Sequence, residues 1–427
     1  MNHLRSSGEL GGNARVFLYV SISIIASAAF LGAAGALWGK MFLLKLHPYI
    51  FFTGFGNLAI LILNRYLISA IYPELKIDPK KQVSYISLVL FSLVLVTAAV
   101  AMDWPFLKAV AGLLLLVTIL GPLREIFTTV SVAGIWKDVS VRYYIFDVIF
   151  LLVANTGLFT LGLKESFPSL SAVIPFFVTQ SSYFLGSSFP LSISVMGFLY
   201  TYAWKSSSKR ELAKKLFSIW FYVFVGGVLV FLCVILIGHY LGMMLVSHLL
   251  LFGVMALLGS FTFYLTHFFR SRFKHPALAF LLSGLALLFA TSGYGIMNIY
   301  FLKGIPFGTQ PPLPYLRMWI YHSHTHAALL GWITFSFTGM IYIVLPSIVR
   351  SNSLETLGSD EALSSILAAK TLGNAFRQLA VMLVSATAVL LAFFLYNNIL
   401  LAIAGFLFGC SVFYSIVNLQ PELRGGG

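Results

Sequence analysis

The sequence predicts an all-α membrane protein, a bundle of about 12 transmembrane helices. Hydrophobic residues make up 59% of the 427 positions and charged residues 9%, whereas soluble globular chains carry about 25% charged residues. The mean hydropathy is +0.94. The apolar residues form runs long enough to cross a bilayer as helices, about 20 residues each. These runs lack the alternation of barrel strands, so helices are the expected spanning form.

Charged residues, prolines and glycines separate the apolar runs and divide the chain into twelve predicted spans. In chain order these spans are 16–38, 41–72, 82–101, 105–123, 143–163, 172–204, 214–238, 240–268, 276–301, 315–348, 374–396 and 398–418. The first run is too long for the core of a cleavable signal peptide and is expected to be the first helix.

The spans occupy almost the whole chain, so a single membrane domain covering residues 1–427 is expected, without a soluble domain. The one sizeable polar loop, about 349–373, is expected to form a short surface helix. This composition excludes a water-soluble enzyme, a nucleic-acid-binding domain and a disordered chain. Cys233 and Cys410 both lie within apolar runs, which excludes a disulfide framework and a cysteine-based metal site.

The basic residues predict the orientation. With twelve spans, 21 of the 27 Lys and Arg residues fall on one side of the membrane and 6 on the other. The positive-inside rule therefore places both termini in the cytoplasm, and the same asymmetry explains the net charge of +14 without a nucleic-acid partner. Acidic residues are nearly absent from the spans. Asp147 is expected near the cytoplasmic start of its helix, within reach of water, so no buried acidic proton relay is predicted.

Histidines are the candidate functional residues, because ionisable side chains within spans are costly and often functional. His47, His248 and the cluster His322, His324 and His326 lie on three spans that all enter from the outer side. At 1.5 Å per residue they share one depth, about 10–15 Å below the outer ends. A shared depth predicts a common site. For any single histidine, and above all for His248 and His239, the alternative is an isolated side chain bonded to nearby backbone.

The angles around the tenth helix divide its histidines between two faces. His324 and His326 point about 160° apart, so they can each hold a separate planar cofactor but cannot share one ion. His322 and His326 share a face, where His322 can ligate a metal or hydrogen-bond the ligand histidine or a propionate. For His47 and His326, two neutral imidazoles across an apolar gap suit haem better than zinc, since no carboxylate or thiolate completes a zinc shell.

Two basic residues stand at the outer entries of the histidine helices. Lys45 precedes His47 by two residues, and Arg317 precedes His322 by five. Long basic side chains at helix ends can extend inward to meet the carboxylates of haem propionates, and the planar fork of arginine is the better partner. The alternative is that both residues only anchor helix ends at the interface.

The stretch HTHAALLGWITFSFTGMIYIVLP, from His324 to Pro346, resembles helix 10 of subunit I of the haem-copper oxidases, nearest the C-type (cbb) branch. The shared elements are His-x-His, Gly331-Trp332, Gly339, Tyr342 and Pro346. His47 followed by Gly56-Asn57 is similar to the low-spin haem helix of that family. The resemblance implies that His47 and His326 are the axial ligands of a low-spin haem. It also implies that His324 is the proximal ligand of a second haem.

The sequence also departs from this family. The oxidases hold copper with a histidine on helix 6 and a His-His pair on helix 7, and this chain has neither. Copper is therefore left open, and with it the reduction of oxygen. The chain carries no C-x-x-C-H, so one or two haems of b type are expected instead of a covalent c-type haem.

The expected function is that of a divergent haem-binding, oxidase subunit I-like protein in a bacterial cytoplasmic membrane. It would act in electron transfer or in respiratory reduction of oxygen or nitric oxide, supplied by a cytochrome or another membrane electron-transfer subunit. One alternative is a non-catalytic haem or metal protein of the nitrosative-stress type. The other is a membrane transporter with a structural histidine cluster.

Overall fold

The computed structural model describes residues 2–72, 74–174, 178–179, 191–201, 210–268, 275–302, 314–349 and 366–424. Within these ranges the chain is all-α and contains no strand. Eleven helices of the described part are long and apolar enough to cross a membrane. The chain is therefore a polytopic membrane helix bundle, as the composition predicts.

We number the membrane helices to match the predicted spans. The helices are α1 (Asn2–Trp38), α2 (Met41–Ser69), α3 (Pro79–Ala101), α4 (Phe106–Thr129), α5 (Val139–Ser166), α6 (Leu191–Thr201), α7 (Arg210–Val234), α8 (Tyr240–Phe268), α9 (Pro276–Leu302), α10 (Trp319–Val349), α11 (Ala369–Phe394) and α12 (Asn398–Arg424). The shorter α6 lies in the predicted span 172–204, much of which is outside the described residues. Residues 350–365, in which the short loop helix is predicted, also lie outside the described residues.

Two helices start directly after a capping residue, several residues before the start that hydrophobicity predicts. α3 starts at Pro79, because the Asp78 side chain accepts a hydrogen bond from the Lys80 amide at 2.9 Å. α5 starts four residues before the predicted 143, where Asp138 accepts from the Val141 amide at 3.1 Å. Such caps satisfy backbone donors that a helix start leaves free, whatever the hydropathy of the first turn.

The centre of the bundle is α10. In its most apolar window 94% of the residues are buried, against 78% for α2 and 22% for α8. It packs against α1, α9, α11 and α12. α8 presents large apolar side chains outward, with Leu245, Leu249 and Phe252 each more than half exposed. A helix buried on all sides and one that is mostly exposed therefore share one polytopic chain.

Four residues of the α10 motif fix this central helix against its neighbours. A Cβ on Gly331 would lie 2.7 Å from Leu287 Cβ, and one on Gly339 would lie 2.7 Å from the Ala277 carbonyl oxygen, so glycine permits the close approach of α9. Trp332 donates its indole N–H to Ser192 of α6 at 2.6 Å. The Tyr342 hydroxyl donates to Gln378 of α11 at 2.6 Å and accepts from Asn418 of α12 at 2.8 Å. The motif thus has a packing role of its own.

Within the described ranges, three membrane helices contain π-helical turns. α2 is π-helical at Ile50–Gly56 and Ala59–Leu63, α7 at Tyr222–Gly226 and α10 at Ala327–Ile333. Single π turns within α-helices occur frequently at functional sites. The periodicity of an apolar run does not disclose them.

Candidate functional site

A cavity of about 780 Å³ lies between α1, α2, α10, α11 and α12. Its size is in the range of small-molecule and cofactor sites. The polar side chains that line it include His47, His322, His324, His326 and Lys45, and most of the remaining lining is apolar or aromatic. Two of the three predicted histidine-bearing helices, α2 and α10, therefore meet at one site.

His47 and His326 face each other across this cavity. Their ring centroids are 6.3 Å apart, and their ring planes are inclined by 27°. With metal–nitrogen bonds of about 2 Å and a ring radius of about 1 Å, two imidazoles on opposite sides of one metal ion have centroids roughly 6 Å apart. The separation of the two rings therefore fits a pair of axial ligands.

Hydrogen bonding determines which ring nitrogen of His326 is free. Its Nδ1 lies 2.8 Å from the His322 carbonyl oxygen. A carbonyl oxygen only accepts, so Nδ1 carries the hydrogen and the Nε2 lone pair remains available for a metal. This arrangement is common among metal-ligating histidines, because the backbone bond fixes the tautomer and the ring orientation.

His47 has a related but looser arrangement. Its Nδ1 is buried, faces the carbonyl groups of Leu43 and Leu44, and makes no hydrogen bond of normal geometry with the described residues. Pro48 follows directly and has no amide hydrogen to donate to the Leu44 carbonyl. The break in the helical ladder beside His47 thus leaves carbonyl groups near the imidazole.

Both histidines precede a π-helical segment of their helix. His326 ends an α-helical stretch and the π turn begins at Ala327. His47 precedes the π turn at Ile50 by three residues. The π turn changes the rotation of the helix after each histidine. The direction of the imidazole is therefore independent of the directions of the side chains that follow the π turn. The apolar periodicity of these spans does not indicate the π turns, and the one local signal beside them is Pro48.

Small residues of α1 form the wall beside His47. A Cβ on Gly32 would lie 3.4 Å from His47 Cδ2, so glycine lets the helix approach the ring. Ala28, Ala29, Ala33 and Ala36 line the same side of the cavity. A flat wall without large side chains, next to a pair of imidazoles, leaves room for a planar macrocycle.

His324 points to a different neighbour, as the angular argument predicts. Its Nδ1–H donates to the Thr291 carbonyl oxygen of α9 at 2.8 Å, and a Cβ on Gly295 would lie 2.9 Å from His324 Cε1. A hydrogen bond to a neighbouring backbone is also what a structural histidine makes. It leaves Nε2 free, so a second haem ligand stays a prediction.

The remaining histidines are placed as follows. His322 lines the cavity and stacks on Phe393, with centroids 5.2 Å apart and planes 16° apart. His248 does not line it; its ring lies edge-on to Tyr300 of α9 at 6.0 Å. His239 is exposed and accepts a hydrogen bond from the Gly242 amide at 3.0 Å, which makes it a helix cap. The predicted common depth therefore brings His47 together with the α10 cluster, and His248 lies elsewhere.

The two basic residues are only partly described. Lys45 is exposed and lines the mouth of the cavity. The side chain of Arg317 lies outside the described part of the structure. A lysine in this position can reach an anionic group within the cavity or remain in water.

The donor set distinguishes haem from other metal groups. Among the described residues, no three His, Cys, Asp or Glu side chains come together as potential ligands of one metal ion. Structural and catalytic zinc sites need three or four protein ligands. A haem supplies four nitrogens of its own and needs one or two axial ligands. Two facing imidazoles over an apolar cavity fit haem and do not fit a zinc shell.

A second polar cluster corrects the expectation for Asp147. Its side chain is fully buried, not exposed to water at the helix start. Asn64 of α2 donates to Asp147 Oδ2 at 3.2 Å, and Ser194 of α6 contacts the same oxygen. Distance from a helix end proved a poor guide, because α2 and α6 cover this turn of α5.

The chain matches no protein-family model and no curated protein. The candidate site therefore has to be interpreted from its own geometry.

Proposed function

We propose that this chain is a haem-binding membrane protein that acts in electron transfer. His47 and His326 would hold one low-spin b-type haem in the cavity as its two axial ligands. The observation that carries the proposal is the 6.3 Å separation of the two rings across an apolar cavity of about 780 Å³. The carbonyl-bound Nδ1–H of His326, which leaves Nε2 free, supports it further.

The haem would supply reversible one-electron chemistry at its iron, and the chain would tune it. With His47 and His326 both bound to its iron, the haem would have no free position for a gas ligand, which would favour electron transfer over gas binding. The apolar lining excludes water and lowers the local dielectric. Lys45, which lines the cavity, would neutralise a propionate, and Arg317, which precedes His322 by five residues, would be a second candidate for this role.

Within this proposal, the helix-10 motif supports a more specific role. The chain would be a divergent relative of haem-copper oxidase subunit I, with a second haem on His324 and reduction of oxygen or nitric oxide. It would lie in a bacterial cytoplasmic membrane with both termini inside and receive electrons from a cytochrome subunit. No copper ligand set supports this chemistry, so copper is not part of the proposal.

An absorption spectrum of the purified protein tests the core of the proposal. The reduced-minus-oxidised difference should contain the α-band of a six-coordinate bis-histidine haem. His47→Ala and His326→Ala should each abolish this band, whereas His248→Ala should preserve it. If both cavity variants keep the wild-type band, the ligand assignment is wrong. A protein without haem would instead favour the transporter alternative, which gains one observation from the buried Asp147.

Two further measurements separate the specific roles. Haem quantitation finding two haems per chain, one of them shifted by carbon monoxide, would support His324 as a second ligand. Consumption of oxygen or nitric oxide by the purified protein would support the reductase. A single haem without consumption would favour the non-catalytic, nitrosative-stress type of protein.

A further inference from the structure

The cluster of Asp147, Asn64 and Ser194 is buried between α5, α2 and α6 and is distinct from the histidine cavity. Asp147 and Ser194 are 0% exposed, and so is Asn64. One carboxyl oxygen, Asp147 Oδ1, is buried and has no hydrogen-bond partner among the described residues. A carboxylate in such a place needs a neutralising partner, because an isolated buried charge is very costly.

Among the described residues, no basic side chain supplies that partner. On α2, the neighbouring Arg65 pairs with Glu125 of α4 at 2.5 Å. On α5, Arg142 donates to Ser218 at 2.9 Å and lies over the Trp136 ring. Asp147 itself makes no ion pair within the described part of the chain.

Among the described residues, the other titratable groups close to the cluster along these three helices are tyrosines, which are neutral at physiological pH. They are Tyr66 on α2, Tyr143 and Tyr144 on α5, and Tyr200 on α6. Tyr66 donates to Gln82 at 3.0 Å and Tyr143 to the Phe217 carbonyl at 2.8 Å. None of them carries a charge that would balance a carboxylate.

The number of hydrogens available in the cluster indicates what neutralises the Asp147 carboxylate. The Ser194 hydroxyl lies 2.7 Å from Asn64 Oδ1 and also contacts Asp147 Oδ2. It has one hydrogen and can donate to one of these oxygens. Asn64 Oδ1 has no hydrogen, so the second hydrogen has to be on Asp147. Exchanging the oxygen and nitrogen of the Asn64 amide does not help, because an oxygen would then face Asp147 Oδ2 at 3.2 Å and the Tyr144 carbonyl at 3.4 Å.

We infer that Asp147 is a proton-binding site of the bundle. Asp147 Oδ2–H donates to the Ser194 hydroxyl, which donates to Asn64 Oδ1, and the Asn64 amide donates back to Asp147 Oδ2 and to the Tyr144 carbonyl. The bound proton is what keeps the buried carboxyl group neutral. Loading and unloading of this site adds a proton-carrying function to the chain, whether or not the cavity binds haem.

Three hydroxyl groups follow toward the start of α5, beginning with that of Tyr144, whose backbone carbonyl accepts from Asn64. Tyr144 and Thr201 approach at 3.2 Å, and Thr201 and Ser140 at 2.5 Å. Asp147 lies eight residues from the start of α5 at Val139, which is about 12 Å along the helix axis. Hydroxyl groups both donate and accept, so they can pass a proton along this route.

Infrared spectroscopy of the purified full-length protein tests the site. At pH 7 the spectrum should contain the C=O stretch of a neutral carboxylic acid, which shifts in D2O. Asp147→Asn should remove this band, whereas Asp103→Asn, an exposed loop carboxylate, should retain it. Asp147→Asn keeps a donor toward Ser194 but loses the oxygen that accepts from the Asn64 amide, so the thermal unfolding midpoint should fall only slightly.

Thr201→Val tests the route. It keeps the shape of the side chain and removes the hydroxyl that joins Tyr144 to Ser140, so deuterium exchange of the Asp147 band should slow at least about tenfold. Three results would overturn the inference. They are an ionised carboxylate at pH 7 that disappears in Asp147→Asn, unchanged exchange in Thr201→Val, or stabilisation of the wild type by sodium but not choline chloride that Asp147→Asn abolishes. The last would indicate a bound sodium ion instead. None depends on haem, so the proposed function stands or falls separately.

Discussion

α8 and α10 carry the same local pattern in different surroundings. In each, a histidine donates Nδ1–H to the carbonyl four residues back at 2.8 Å, from His248 to Met244 and from His326 to His322. In each, glycine follows five residues later, at Gly253 and Gly331. Yet His326 faces His47 across a cavity, whereas His248 lies against Tyr300 on a mostly exposed helix. The local sequence fixes the tautomer of each imidazole, but the neighbouring helices determine whether the ring faces a second histidine across a cavity.

The largest effect expected from this comparison is the loss and rescue of a ligand. His326→Gly should remove the bis-histidine spectrum, and added imidazole should restore most of it by filling the space that the side chain leaves. His248→Gly should leave the spectrum unchanged with or without imidazole. Absorption spectra of the two variants at equal protein concentration measure this. Equal spectral losses in both variants would contradict the distinction between the helices.

The wall of the cavity should show a smaller, steric effect. Gly32→Val places methyl groups against His47, because a Cβ there already lies 3.4 Å from His47 Cδ2. We expect haem retained per chain to fall several-fold. Gly259→Val on α8 is the matched control, since a Cβ at that position meets nothing within 4 Å. Haem-to-protein ratios after purification test this, and equal retention in both variants would show that α1 does not confine the site.

The two glycines that follow the histidines should differ in their effect on stability. Gly331→Ala places a Cβ 2.7 Å from Leu287 Cβ in a packed interior, and such overpacking costs about 1–3 kcal/mol. Gly253→Ala meets its nearest atom at an ordinary 3.4 Å and gains up to about 1 kcal/mol of helix propensity. Thermal unfolding in detergent should therefore show a lower midpoint for the first variant and an unchanged or higher one for the second. A reversed order would mean that α10 is less tightly packed than α8.

The smallest effect should come from charge at the mouth of the cavity. Lys45→Gln removes a cation near the proposed haem, which favours the oxidised, more positive iron and lowers the midpoint potential. Because Lys45 is exposed, screening limits the change to roughly a few tens of millivolts. Arg317→Gln should lower the potential in the same direction. Lys40 is exposed and does not line the cavity, so Lys40→Gln should change the midpoint potential less. Redox titrations at low and high salt measure these changes. Equal changes in Lys45→Gln and Lys40→Gln would show that the effect is not local.

Much of the fold and part of the site follow from the sequence. Composition and run length predict the helical bundle, and the shared depth of His47 and His326 predicts that they meet. The same argument was wrong to group His248 with them, because depth does not determine which helices are neighbours. It was also wrong about Asp147, whose burial depends on α2 and α6, far away in the chain. Pairings between distant helices, unlike helix formation, are not encoded in any single stretch.

The π turns of α2 have a mechanical consequence. Directly after the turn at Ile50–Gly56, Asn57 accepts a hydrogen bond from Asn155 of α5 at 2.8 Å, and before this turn the His47 ring faces the ring of His326. One residue of an α-helix corresponds to a rotation of about 100°. The π turn at Ile50–Gly56 therefore sets the rotation of His47 relative to Asn57. Deleting one residue within this turn would leave both ends of α2 helical. It would, however, rotate the His47 imidazole away from His326.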